Sequence, residues 1–310
     1  MNLPAEYTEH HYQSNDGLSL YYRNYGASDN VLICLPGLTR NCKDFEELAR
    51  HLASRWRVTT PDLRGRGQSE WDPKPSRYRP ETYVGDIWKL MDDLAIQNFT
   101  VIGTSLGGWM AMIMASQQGG RLRGVVVNDV GPVVPASALA RIMKYAGRLP
   151  PVRDWPSAAQ QIQQAYAFAL PSMPDSFWAR FVRLSMHKNS DGWILPDMDP
   201  AIAGVLRKAQ RQLKILRLLR RAGLMKRASA TIDKGYWDQF QALTMPCLLL
   251  RGSISDVLPV DLVAQMKAVK PDLQTVTIAD RGHAPLLDEP EALTAIDSFL
   301  EQLARHPEQQ

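Results

Sequence analysis

Gly103-Thr104-Ser105-Leu106-Gly107 is the stretch that decides the fold. Phe99–Ile102, just before it, is an apolar run of strand length, and Ser105–Gln118 after it reads as a helix. A serine between small residues at a strand-to-helix turn is the setting of a nucleophile elbow, G-x-S-x-G. The turn is tight enough to strain the serine backbone, and Gly103 and Gly107 leave room for the helix to lie close on the strand. Such a turn puts the Ser105 hydroxyl at the C-terminal edge of a sheet, beside the positive end of a helix dipole. The pentapeptide alone occurs by chance in ordinary turns; the strand before it and the helix after it give it weight.

Working outward, strands and helices alternate. Glu9–Gln13 and Leu18–Arg23 flank the turn Ser14–Gly17 as a hairpin. Val31–Leu35 is a buried strand, Asp44–Leu52 a helix, Val58–Thr60 a strand, Thr82–Leu94 a helix and Val125–Asn128 a strand. From about Gly131 to about Gln241 the rhythm stops, and prolines separate helical segments with no clear strand. It resumes with Cys247–Arg251, the helix Val260–Val269, the strand Gln274–Ile278 and the helix Pro290–Leu303. This pattern predicts an α/β fold, a mostly parallel sheet with helices on both faces and an antiparallel edge hairpin. Residues 1–131 and 241–310 are expected to form the core domain, and 132–240 a helical cap.

A serine hydroxyl needs a base to take its proton. His283, in Arg281-Gly282-His283-Ala284-Pro285, sits in the loop between the last strand and the last helix, where a base facing a sheet-edge serine belongs. Asp256 follows the strand Cys247–Arg251 and is assigned as the acid that accepts from the histidine Nδ1–H. A helix N-cap is the bland reading of that aspartate. The chain order Ser105…Asp256…His283, each at the C-terminal end of a strand, favours catalysis. An oxyanion needs preset N–H donors. Leu106, after the nucleophile, and Leu38, in Leu35-Pro36-Gly37-Leu38, are assigned as those donors. Gly37, Trp109 and Met110 are the candidates for lining a substrate pocket.

With these motifs the chain resembles the α/β-hydrolase family, near its esterase, lactonase and carbon–carbon bond hydrolase members. The resemblance rests on Leu35–Leu38, on Asp62-Leu63-Arg64-Gly65-Arg66-Gly67-Gln68-Ser69, on Gly103–Gly108, and on Asp256 and Gly282-His283. It implies an eight-stranded sheet, a helical cap after the sixth strand and no cofactor. Many relatives have His-Gly where this chain has Pro36-Gly37. Some hydrolases of this fold carry the acid at the end of the sixth strand, which makes Asp129 the alternative to Asp256; otherwise Asp129 would brace the approach to the cap. The expected reaction is hydrolysis of a carboxylic ester of a small to medium apolar substrate through an acyl-enzyme. The alternatives are a lactonase, a hydrolase of β-diketone-type carbon–carbon bonds, or a non-catalytic ligand-binding protein on the same fold.

Composition agrees with an ordinary globular chain: 310 residues, 45% hydrophobic, 22% charged, net charge +4. That charge is too small to argue for nucleic acid. The Asp62–Ser69 loop lacks the Lys-Ser/Thr pair of a phosphate cradle, and three scattered cysteines make neither a metal site nor a disulfide framework. With no secretory leader and no membrane-length apolar run, the expectation is a cytoplasmic monomer or homodimer acting on a small ester or lactone, without stable membrane insertion, metal or cofactor. Residues 207–227 are rich in arginine and lysine around a leucine stripe, read as a solvated basic face over a buried apolar one or as an attractor of an anionic substrate or an anionic lipid surface.

Overall fold

In the computed structural model, residues 7–208, 211 and 228–305 are described. The chain forms β1 (Tyr7–Gln13), β2 (Ser19–Tyr25), β3 (Val31–Leu35), α1 (Glu46–Leu52), β4 (Arg57–Pro61), α2 (Pro80–Asp93), β5 (Phe99–Thr104), α3 (Leu106–Gln118) and β6 (Leu122–Asn128). Then come α4 (Ala136–Tyr145), α5 (Trp155–Tyr166), α6 (Asp175–Ser185), β7 (Met186–Lys188), β8 (Ile194–Pro196), α7 (Ala228–Gln241), β9 (Cys247–Gly252), α8 (Val260–Val269), β10 (Gln274–Ile278) and α9 (Pro290–Arg305).

Eight strands make one sheet in the order β1-β2-β4-β3-β5-β6-β9-β10. The hairpin β1–β2 and the β2–β4 pair are antiparallel, and every other neighbour in this sheet is parallel. The central strands are apolar and buried along most of their length because both faces are covered. Their side chains still alternate with the pleat. Ile33, Leu35, Val101, Val125, Val127 and Leu249 face the core under α2 and α3. Leu32, Cys34, Ile102, Val126, Leu248 and Leu250 face α1 and α9. On α9, Ala292, Ile296, Phe299 and Leu303 repeat at helical spacing and are all buried. At roughly 1.5–3 kcal/mol for each large apolar side chain removed from water, these two layers are the main source of stability.

Between β6 and β9 lie α4, α5, α6 and α7, together with helical residues at 201–208. Trp178, Phe181, Val182 and Ile162 form a small core of this insertion. It also holds strands, contrary to expectation: β7 and β8 pair antiparallel around a turn where Gly192 has φ +80°. Three-residue strands are too short to show a period in sequence. Cys34, Cys42 and Cys247 are all buried and free. Of the basic stretch 207–227, Arg207, Lys208 and Arg211 are exposed, and the remainder lies outside the described residues. Among the described residues no helix is long and apolar enough to cross a membrane.

Candidate active site

Ser105 stands between β5 and α3 with φ 53° and ψ −109°, a left-handed backbone that a non-glycine residue adopts only when its surroundings enforce it. The enforcement is steric. A Cβ at Gly103 would lie 2.4 Å from the Gly107 carbonyl group, and one at Gly107 would lie 2.1 Å from the Leu35 carbonyl oxygen. Helix and strand therefore approach as closely as backbones can. The Ser105 N–H donates to the Asn128 carbonyl at 3.0 Å, and its own carbonyl accepts from Trp109 N–H at 3.1 Å.

His283 is buried, and its Nε2 lies 2.8 Å from Ser105 Oγ. Its loop is held from two sides. Gly282 N–H donates to the Ala169 carbonyl of the insertion at 2.7 Å, and Asn128 Nδ2 donates to the Pro285 carbonyl at 2.9 Å. The other ring nitrogen, Nδ1, lies 2.9 Å from Oδ2 of Asp129. An ionised carboxylate can only accept, so Nδ1 carries the proton and Nε2 is free to accept from the serine hydroxyl.

The assignment of the acid to Asp256 is thus corrected, since Asp129 is the carboxylate that meets the histidine. Asp129 is fully buried, with φ 56°, immediately beyond β6. Its Oδ1 accepts from Gly252 N–H at 2.9 Å, and its Oδ2 accepts from the Ser255 hydroxyl at 2.6 Å. The Ser255 oxygen itself accepts from the N–H groups of Val257 and Leu258 at 3.2 and 3.1 Å, which directs its one proton to Asp129. The reason Asp256 fails is local. Ser255 N–H closes a turn on the Gly252 carbonyl at 3.0 Å, and that turn brings Ser255, not its neighbour, inward. Asp256 points instead to the insertion, where Arg141 Nε and Nη2 hold its two oxygens at 2.7 and 2.6 Å. Partial burial pushes the Asp256 carboxyl up, but the Arg141 hydrogen bonds and charge outweigh it and hold the group below the usual carboxylate range.

Leu106 opens α3, so its N–H has no acceptor within the helix. Arg40 N–H donates to the Gly37 carbonyl at 3.2 Å, which makes Gly37–Arg40 a turn whose second residue, Leu38, does not spend its N–H on that turn. A Cβ at Gly37 would lie 3.9 Å from Ser105 Cβ, so this turn borders the elbow. Met110, expected in the pocket, is fully buried in the core under α3. Trp109 donates to the Gly131 carbonyl at 3.1 Å and stacks on Tyr236. A cavity of about 220 Å³ opens elsewhere, bordered by Thr104 and Ala284, the chain neighbours of Ser105 and His283, and walled by Arg40, Tyr166, Leu170 and Phe181. Sequence reasoning missed Ser255, Arg40 and Leu170. None stands in a recognisable spacing, because their proximity is created by the insertion folding back.

Residues 30–290 match the family model described as the alpha/beta hydrolase fold. The chain belongs to the α/β-hydrolase family. Among curated proteins, this hydrolase is 30% identical to the 3-hydroxybutyrate-oligomer hydrolase of Cupriavidus necator, over 90% of its own length and 91% of the relative's. It is 24% identical to 2-(acetamidomethylene)succinate hydrolase of Mesorhizobium japonicum, over 97% and 100%. Among solved structures, an alpha/beta hydrolase from Novosphingobium aromaticivorans superposes with a TM-score of 0.83 at 38% identity, covering 96% of this chain and 99% of that one.

Proposed function

We propose that this hydrolase cleaves carboxylic esters through an acyl-enzyme on Ser105, with His283 as general base and acid and Asp129 as the group that orients it. The observation that carries the reading is the continuous chain Ser105 Oγ, His283, Asp129, with contacts of 2.8 and 2.9 Å. His283 Nε2 takes the Ser105 proton as Oγ attacks the ester carbonyl, and the carbonyl electron pair becomes an oxyanion facing the N–H groups of Leu38 and Leu106. The intermediate collapses, the bond to the alcohol oxygen breaks, and the alcohol leaves with the histidine proton. Water then gives a proton to Nε2 and attacks the acyl carbon. Collapse releases the acid and returns the proton to Ser105. Asp129 remains ionised throughout and stabilises the imidazolium.

The substrate class we favour is a short-chain ester of a hydroxy acid, as the name of the Cupriavidus relative describes for that protein. The cavity supports it: about 220 Å³ suits a small acyl or hydroxyacyl unit, and its walls combine apolar Leu170, Phe177 and Phe181 with charged groups of both signs, Arg40 being paired with Asp44. The test is initial rates on p-nitrophenyl esters from acetate to palmitate and on dimers and trimers of 3-hydroxybutyrate, beside Ser105→Ala. Short-chain activity that falls by at least about 10⁴-fold in the variant is expected. A wild-type protein inert to all of them, including lactones and β-diketones, with Ser105 unreactive to a fluorophosphonate, would overturn the reading in favour of ligand binding.

A further inference from the structure

Two arginines two residues apart, in the loop after β4, have very different surroundings. Arg64 is buried and fully compensated: Asp16, Asp72 and Asp86 all bond its guanidinium. Arg66 is equally buried, with 0% exposure, yet among the described residues no carboxylate lies within ion-pair distance of it. Of the two nearest acids along the chain, Asp62 spends its oxygens on the N–H groups of Cys42 and Gln68, and Glu70 accepts from the Ser19 N–H. Arg66 Nε donates to the Leu38 carbonyl at 3.0 Å and Nη1 to the Arg64 carbonyl at 3.0 Å, while Nη2 has no partner. The face of Tyr83 lies 4.7 Å from the guanidinium carbon.

A buried guanidinium without a counter-ion is costly, and two carbonyls and a ring face offset that cost only in part. Its backbone is nonetheless fixed in place. Arg66 bridges to Met198 of the insertion, and the flanking Gly67 N–H and Gly65 carbonyl bond Asp197 and Asp199 at 3.1 and 2.7 Å. Within the candidate site, Arg66 bonds the carbonyl of Leu38, the residue whose N–H is proposed to face the oxyanion. We infer that Arg66 is a positioning residue for the oxyanion: it pins the Leu38 turn by its carbonyl and leaves a buried positive charge uncompensated behind it. Negative charge arises there only as the carbonyl is attacked, so this cation stabilises the transition state more than the bound ester.

This inference rests on the proposed ester hydrolysis. It is tested with Arg66→Met, Arg66→Gln and Arg66→Lys in the full-length protein, measuring kcat and KM on a short p-nitrophenyl ester and the inhibition constant of a trifluoromethyl ketone, which forms a tetrahedral oxyanion on serine. In Arg66→Met, kcat should fall by about 10²-fold and ketone binding should weaken in parallel, with KM changed by less than about twofold. Arg66→Lys, which keeps the charge, should recover more than Arg66→Gln. Should the Met variant not fold, the Gln variant carries the same comparison. Ketone and ester weakened equally, no change in either, or Gln matching Lys would overturn the role. A wild-type protein that neither turns over esters nor binds the ketone would instead remove the hydrolase reading on which it stands.

Discussion

The corner after β6 and the corner after β9 each present an aspartate at the C-terminal edge of the sheet, and they do opposite things. At the first, Asp129 is fully buried, turned by a left-handed backbone, and holds one N–H, one hydroxyl and the ring of His283. At the second, Asp256 keeps 28% of its side chain exposed and pairs with Arg141 across to the insertion. Being at a strand end does not by itself bring a carboxylate to the histidine. What separates the two is the backbone step that aims the side chain, and a set of protein donors that satisfies both oxygens of the buried one. The second corner still serves the first, because Gly252 and Ser255 supply two of those donors.

The difference can be broken in order of expected effect. Asp129→Asn should lower kcat about 10⁴-fold with the fold intact, since an amide stabilises the wrong histidine tautomer; steady-state rates on a short p-nitrophenyl ester read this. Ser255→Ala removes one hydrogen bond to a charged group, generally about 1.5–3 kcal/mol, so a loss of roughly tenfold or more in kcat is expected on the same substrate. Asp256→Asn should leave kcat within about threefold, since it deprives the site of no proton-carrying group.

The smallest effect is on stability and pH. The Asp256 carboxyl titrates below its usual range in the folded protein, so the pair with Arg141 adds stability above the unfolded value near pH 4 and loses it as pH falls through the folded value. The pair is partly exposed, so the gain is at most about 1 kcal/mol, or about 2–4 °C in Tm. Melting curves of wild type and Asp256→Asn should differ at pH 7 and converge as pH falls through the lowered Asp256 value. A constant difference across that range would assign the effect to packing instead.

The fold was legible because its signals are periodic and local. Pleat alternation in Val125–Val127, helical spacing in α9 and the glycines around Ser105 each express a constraint within a few residues. The meeting of Ser105 with His283 could be anticipated from the same kind of local signal. The acid could not, because two aspartates satisfied the same rule of strand-end placement and chain order. The deciding facts were a positive φ at Asp129 and a turn that inverts the roles of Ser255 and Asp256. Both depend on how β6 and β9 come to lie side by side. The pocket was misplaced for a related reason. Trp109 and Met110 follow Ser105 in sequence, but helix geometry carries Met110 into the core, while the cavity is walled by Arg40 and by the insertion residues Tyr166 and Phe181.

The most direct test of the central claim needs no substrate. A proton shared between a histidine Nδ1 and a buried carboxylate gives a far-downfield, exchange-protected resonance in the proton NMR spectrum. This signal should be present in the wild type, persist in Asp256→Asn and disappear in Asp129→Asn. A signal lost with Asp256 and kept without Asp129 would contradict it.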